Sequence, residues 1–115
     1  MHRDVRWDNV LKKIDKDRWF IIDFDDACFS PSSTPNKELS YQSHAPEIFE
    51  GFHDTSVDIW SVGYLISTVG VKNELLTNYA MKMMVKDYRE RPTADDSLQW
   101  LYRDFAGVLS VNELV

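Results

Sequence analysis

The sequence is poor in several things, and each scarcity narrows what the chain can be. It has one cysteine, Cys28, in 115 residues, which excludes an internal disulfide and fits a reducing interior compartment. Basic residues are outnumbered, 13 Lys and Arg against 19 Asp and Glu, for a formal net charge of −6. That balance argues against a nucleic-acid-binding surface. No uninterrupted apolar run approaches the length that spans a bilayer, so no membrane partner is expected. The first residues, with His2, Arg3 and Asp4 polar and no apolar stretch behind them, do not resemble a signal peptide. The expectation is an intracellular, cytoplasmic protein. Internal repeats and low-complexity tracts are also missing. What is present, 43% hydrophobic and 13% aromatic residues, is enough for a packed core and argues against overall disorder. The length allows at most one domain, near the lower end for a self-sufficient core.

Regular structure is expected in a few places. Val10 to Ile14 and the aromatic, β-branched run Trp19 to Phe24 read as two strands of a small hairpin, the second with the composition of a buried strand. The connection Asp15 to Arg18 has a common hairpin length, and the hairpin would carry Asp23 back beside Asn9. From Asp25 to His44 turn formers dominate, above all in Ser30 to Asn36, so a mobile surface loop is expected. Pro46 to Glu50 suits one helical turn with Pro near its first position. Residues 55 to 69 make the strongest helix, with apolar side chains round much of the cylinder, hence buried on most sides. Thr55 and Asp58 are expected to cap it as a modified capping box, and Gly70 to end it. A second helix is expected over Asn73 to Lys86, with Met83 and Met84 filling core gaps. A third, capped by Thr93, is expected over Ala94 to Asp104, with Leu98, Leu101, Tyr102 and Phe105 as its apolar positions.

Chemistry concentrates in His2-Arg3-Asp4-Val5-Arg6-Trp7-Asp8-Asn9. An Asp suited to accept a hydroxyl proton and an Asn suited to hold a phosphate-bearing metal can share one short loop. With Asp23 they make the set that phosphoryl transfer needs, which is positioning and charge neutralisation more than covalent chemistry. Asn9 and Asp23 could supply two oxygens to one magnesium. Any one of these acids alone reads as a solvated loop residue; their joint pattern and order weigh the other way.

These residues resemble the protein-kinase family. His2-Arg3-Asp4 through Asn9 is similar to its catalytic loop H-R-D-x-x-x-x-N, and Asp23-Phe24-Asp25 stands in the place of D-F-G. Ala45-Pro46-Glu47 matches A-P-E, Asp58-Ile59-Trp60-Ser61-Val62-Gly63 matches D-x-W-S-x-G, and Arg91-Pro92-Thr93 matches the late R-P-T segment. Five motifs in order are far more specific than one. The resemblance implies a mainly α fold with a small β-hairpin, the helical C-terminal lobe of a kinase-like domain, spanning residues 1–115. It implies ATP- and magnesium-dependent phosphoryl transfer to Ser or Thr hydroxyls of a protein substrate. Asp4 would be the catalytic base, Arg6 would contact the transferring phosphate, and Asn9 and Asp23 would bind magnesium and, through it, ATP. Arg3 would sense a phosphorylated activation segment, and Asp58 would anchor the catalytic-loop backbone from the central helix. Glu47 and Arg91 would form a buried ion pair. Ser40 stands where the family often has a Thr that bonds the catalytic Asp.

The chain also departs from the pattern. Arg6 replaces the usual Lys, keeping charge but changing geometry; a basic residue there resembles the serine/threonine kinases. Asp25 replaces the D-F-G glycine and removes backbone freedom. Asp23 to Ala27 is similar to the metal-binding strand end of phosphotransferases related to aminoglycoside and choline kinases. The interval from Asp58 to Arg91 is short for the family. A Gly-rich phosphate loop, a V-A-I-K-like strand lysine and the helix bearing its Glu partner are missing, so a truncated domain, poorly active or inactive alone, is expected. Trp7, Trp19 and Phe20 would then lie partly uncovered and leave a face open to association. Two other readings remain: a pseudokinase or binding module without catalysis, and a small-molecule phosphotransferase.

Overall fold

The computed structural model describes residues 1–105. It is mainly helical, with three α-helices and a two-stranded antiparallel hairpin, in the order β1 (Val10–Lys12), β2 (Trp19–Ile21), α1 (Ser56–Thr68), α2 (Glu74–Met83), α3 (Ala94–Phe105). One-turn 3₁₀ segments at Trp7–Asn9, Pro46–Phe49 and Tyr88–Glu90 complete it. Among the described residues no helix is long and apolar enough to cross a membrane. The side chain of Phe105, one of the apolar positions expected in the third helix, and the tail after it lie outside the described residues.

The hairpin pairs Val10 with Ile21, Leu11 with Phe20 and Lys12 with Trp19. It is shorter than the alternation suggests, and its second strand is not buried: Trp19 is 61% exposed, Phe20 41% and Ile21 42%. Composition registers how apolar a strand is; burial also needs a second layer, and two strands alone do not provide one. The same exposure, with Trp7 at 47%, is the uncovered apolar surface expected near the hairpin. The ladder extends past β2, because the Ile22 amide donates to the Asn9 carbonyl at 2.9 Å. Residue 22, one position before Asp23, is thereby set opposite residue 9.

The segment from 25 to 44 has no regular element, yet it is tied down. Ser32 and His53 exchange both backbone hydrogen bonds at 2.9 Å, the Asn36 amide donates to the Ile48 carbonyl, and the Asn36 side chain donates to Asp26 at 2.8 Å. It leads into the core cluster of Ala45, Ile48, Phe49, Val57 and Trp60, on which Met1, Leu39, Tyr64 and Met84 pack.

Helix α1 is the axis of this core, with Val57, Trp60, Ser61, Gly63 and Leu65 buried. The expected capping box is not formed. Thr55 has helical dihedrals (φ −56°, ψ −18°) and makes no side-chain cap, because a capping residue needs extended backbone. Asp54 takes the role instead, its Oδ1 accepting from the Ser56 amide at 2.9 Å. Asp58 is thereby left for another task. Gly70, at φ +82°, follows the last turn in the left-handed conformation that ends helices. Helix α2 is capped by Asn73, whose Oδ1 accepts from the Leu76 amide at 3.1 Å. Helix α3 has a capping box in which Thr93 Oγ1 accepts from the Asp96 amide and Asp96 accepts from the Thr93 amide. Trp100 of α3 stacks on Tyr79 of α2, with centroids 3.9 Å apart.

Helices α1 and α2 approach through Gly63. A Cβ there would lie 2.8 Å from Met83 Cβ and from Met84 Cγ, and 3.0 Å from the Ala80 carbonyl oxygen. Gly to Ala in a helix ordinarily stabilises by about 1 kcal/mol. Here overpacking against backbone-fixed atoms reverses the sign, and Gly63→Ala should destabilise by roughly 1–3 kcal/mol. A denaturation midpoint that rises instead of falling would refute the close approach.

Candidate functional site

Asp58 fixes the loop that precedes the hairpin. Its Oδ2 accepts from the His2 amide at 2.7 Å and its Oδ1 from the Arg3 amide at 2.9 Å. A carboxylate accepting two backbone N–H groups is a strong anchor. It holds Arg3 at φ +71°, a conformation that is uncommon for a residue with a Cβ and of order 1–3 kcal/mol unfavourable. The Arg3 side chain turns toward the following segment, donating from Nε to the Asp26 carbonyl at 2.6 Å and from Nη1 to His53 Nε2 at 3.4 Å. His2 ties the loop to the end of the hairpin. Its Nδ1 accepts from the Asp4 amide at 3.1 Å, its Nε2 donates to the Ile22 carbonyl at 3.0 Å, and its ring meets Phe24 edge-on at 4.9 Å.

The backbone so held places Asp4 and Asn9 together, both buried. Asn9 Nδ2 donates to the Asp4 carbonyl at 2.8 Å and to Asp4 Oδ2 at 3.2 Å. Arg6 Nε stands 3.6 Å from Asp4 Oδ1, on a side chain that is half exposed. Asp4, Arg6 and Asn9 are therefore one cluster. The Asp23 carboxylate is not hydrogen-bonded to it: exposed, with φ +61°, Asp23 accepts from the Asp25 amide at 3.3 Å. The left-handed conformation thus falls on Asp23, a residue type that tolerates it, and the replaced glycine at position 25 is not where positive φ is needed.

Asp4 has one further partner that was not anticipated. His44 Nε2 lies 2.8 Å from Asp4 Oδ1, with both side chains buried. The expected partner, Ser40, does not reach Asp4. Ser40 is exposed, and its backbone carbonyl accepts from His44 Nδ1 at 2.8 Å. An imidazole spans the distance that a short hydroxyl cannot. Ser43 Oγ is also 3.1 Å from His44 Nδ1, so Ser43, His44 and Asp4 follow one another as in a hydrolase triad. That chemistry does not fit, because Nδ1 already donates to a carbonyl and cannot take the Ser43 proton. In sequence His44 is marked only by standing immediately before Ala45-Pro46-Glu47.

Among the described residues, no three His, Cys, Asp or Glu side chains are grouped as a metal site. Asn9 and Asp23 are nonetheless suited to magnesium by chemistry. With its nitrogen turned to Asp4, Asn9 has its carbonyl oxygen without a donor among the described residues, and Asp23 could contribute an anionic oxygen; both are hard ligands.

At the start of α1, Arg91 and Glu47 form a two-pronged ion pair. Arg91 Nη1 meets Glu47 Oε1, and Nη2 meets Oε2 at 3.1 Å. The guanidinium side chain has no exposed surface. Its remaining hydrogens go to the carbonyls of Val85 at 2.9 Å, Ser56 at 3.1 Å and Lys86 at 3.4 Å.

The chain is 44% identical over 111 residues to Crinkler effector protein 8 of Phytophthora infestans, in an alignment covering 90% of this chain and 18% of that protein. The chain thus spans about a fifth of the length of this relative. No family model matches the chain.

Two substitutions test the supports of the site. Arg91→Ala leaves a buried carboxylate unpaired and should destabilise by about 3–5 kcal/mol, whereas replacing both Arg91 and Glu47 by apolar residues of similar volume should cost less. Urea midpoints that fall by the same amount in both variants would contradict this. Asp58→Asn removes one of two acceptor oxygens, and the Asp58 anchor predicts faster amide hydrogen exchange at His2 and Arg3, with little change in α2 and α3.

Proposed function

We propose that the chain is the helical, catalytic-loop part of a protein-kinase-like phosphotransferase that moves the ATP γ-phosphoryl group to a Ser or Thr hydroxyl of a protein. The observation carrying this reading is the buried pair Asp4 and Asn9 with Arg6 at its rim, held from below by Asp58. In it Asp4 takes the acceptor hydroxyl's proton and orients that oxygen for attack. Arg6, half exposed at the rim, offers its guanidinium to the phosphate. Asn9 and Asp23 would hold magnesium, which when bound neutralises phosphate charge. Arg3, directed at the segment that carries Ser32 and Thr34, stands where it could read a phosphate there.

A pseudokinase or binding module is the second reading, and one observation favours it: Asp23 is engaged by its own loop, not by the Asn9 cluster. A small-molecule phosphotransferase would share Asp4, Asn9 and Asp23 without needing Glu47 and Arg91. An effector role, taken from the name of the similar protein, accords with either of the first two.

Titration of the ¹⁵N-labelled chain with Mn·ATP tests the reading. Selective broadening at Asn9 and Asp23, lost in Asn9→Ala and Asp23→Ala, is expected; uniform broadening, or none, removes it. The 115 residues alone should transfer little phosphate. ATP-dependent phosphorylation by the purified chain, abolished in Asp4→Ala, would overturn that expectation of weak activity.

A further inference from the structure

The three histidines are all buried, and their partners dictate three different protonation patterns. His2 Nδ1 faces the Asp4 N–H, so it accepts, and Nε2 faces the Ile22 carbonyl, so it donates. His2 is therefore neutral with its hydrogen on Nε2. His53 Nδ1 faces the Gly51 carbonyl at 2.7 Å and donates, while Nε2 faces the Arg3 guanidinium and accepts. His53 is neutral with its hydrogen on Nδ1. His44 differs from both. Its Nδ1 faces the Ser40 carbonyl and its Nε2 faces the Asp4 carboxylate, both at 2.8 Å. Neither partner can donate in the state where Asp4 is ionised, so both ring nitrogens must carry hydrogen.

The two oxygens of Asp4 are met by His44 Nε2, Asn9 Nδ2 and the Arg6 guanidinium. Among the described residues no second carboxylate is hydrogen-bonded to the ring or to Asp4. Ser43 Oγ, the remaining neighbour of Nδ1, is neutral and can accept alongside the Ser40 carbonyl.

We propose that His44 is the positioning residue of the site: an imidazolium held between the Ser40 carbonyl and Asp4, it clamps Asp4 Oδ1 and leaves Oδ2, shared only with the weaker Asn9 contact at 3.2 Å, to meet an acceptor hydroxyl. The clamp joins residues forty apart in sequence. It makes the geometry of Asp4 depend on the 40–44 segment, so displacement of that segment releases the carboxylate. This inference rests on the phosphotransferase reading for the role of Asp4, and not for the existence of the ion pair.

Long-range ¹H–¹⁵N correlation of the imidazole rings at neutral pH tests it on the chain itself. The expected spectrum has one imidazolium and two neutral rings of opposite tautomer, with His44 identified by the loss of its signals in His44→Gln. Asp4→Asn should convert His44 to a neutral ring with hydrogen on Nδ1, the nitrogen still held by Ser40, while His2 and His53 keep their patterns. A neutral His44 in the unsubstituted chain overturns the proposal, and so does an imidazolium that persists in Asp4→Asn. Should Asp4→Asn unfold, the three distinct patterns merge, and the unsubstituted spectrum alone decides. The Mn·ATP titration separates the two claims: an imidazolium without broadening at Asn9 and Asp23 removes the phosphotransferase role and keeps the clamp. Broadening with a neutral His44 does the reverse.

Discussion

The Arg91 guanidinium is the interaction on which most of this structure depends. A charge with no exposed surface must be neutralised and fully hydrogen-bonded where it lies, and Arg91 uses all five of its hydrogens to meet that demand. Two go to the carboxylate of Glu47, which brings the 3₁₀ turn Pro46–Phe49 against the start of α1. One goes to the carbonyl of Ser56, in the first turn of α1. Two more go to Val85 and Lys86, which define the chain's course after α2. Three stretches, at Glu47, Ser56 and Val85–Lys86, are thus assembled on one side chain. The apolar cluster of Ala45, Ile48, Phe49, Val57 and Trp60 lies within the frame this creates, and neither would be well defined without the other.

A second carboxylate does for the loop at residues 2–9 what Glu47 does for the helical part. Asp58 emerges from the first turn of α1 and binds two consecutive amides, His2 and Arg3. Because α1 is fixed by packing, the loop inherits its rigidity, and the unfavourable dihedrals of Arg3 are held by two charge-assisted bonds. Asp4, Asn9 and Arg6 then converge because the next few residues have little freedom left. Support runs in one direction, from the buried pair to α1, from α1 to Asp58, and from Asp58 to the cluster. His44 adds a second tether, from the segment that leads into the Glu47 turn. Asp4 is therefore constrained by two parts of the chain that both trace back to the same core.

What could be read without coordinates was read from short spacings. Asp4 with Asn9 and the helix around Asp58 belong to ordered local motifs, in which residue type and interval carry the information; the pairing of Glu47 with Arg91 was an implication of the resemblance to the protein-kinase family. The hairpin and its turn were legible from local intervals too, and so were the cap at Thr93 and the stop at Gly70. The misreadings have equally specific causes. Thr55 was expected to cap α1, but capping depends on backbone dihedrals that place Thr55 inside the helical region and leave the task to Asp54. Trp19 to Ile21 look buried because burial was judged from composition, which is silent about what lies over a strand. His44 carries no motif of its own, and forty residues separate it from the carboxylate it meets.

By itself the sequence determined which residues are chemically able to act and which segments must be helical or extended, since those properties reside in side-chain type and in intervals of a few residues. The tertiary structure alone decided which of them act together. It joined His44 rather than Ser40 to Asp4, passed the capping of α1 from Thr55 to Asp54, and left Asp23 outside the hydrogen bonds of the Asn9 cluster. The physical reason is that hydrogen bonds and ion pairs are settled by distances of a few tenths of an ångström. Such distances are set by the packing of the whole core and are not encoded at any single position.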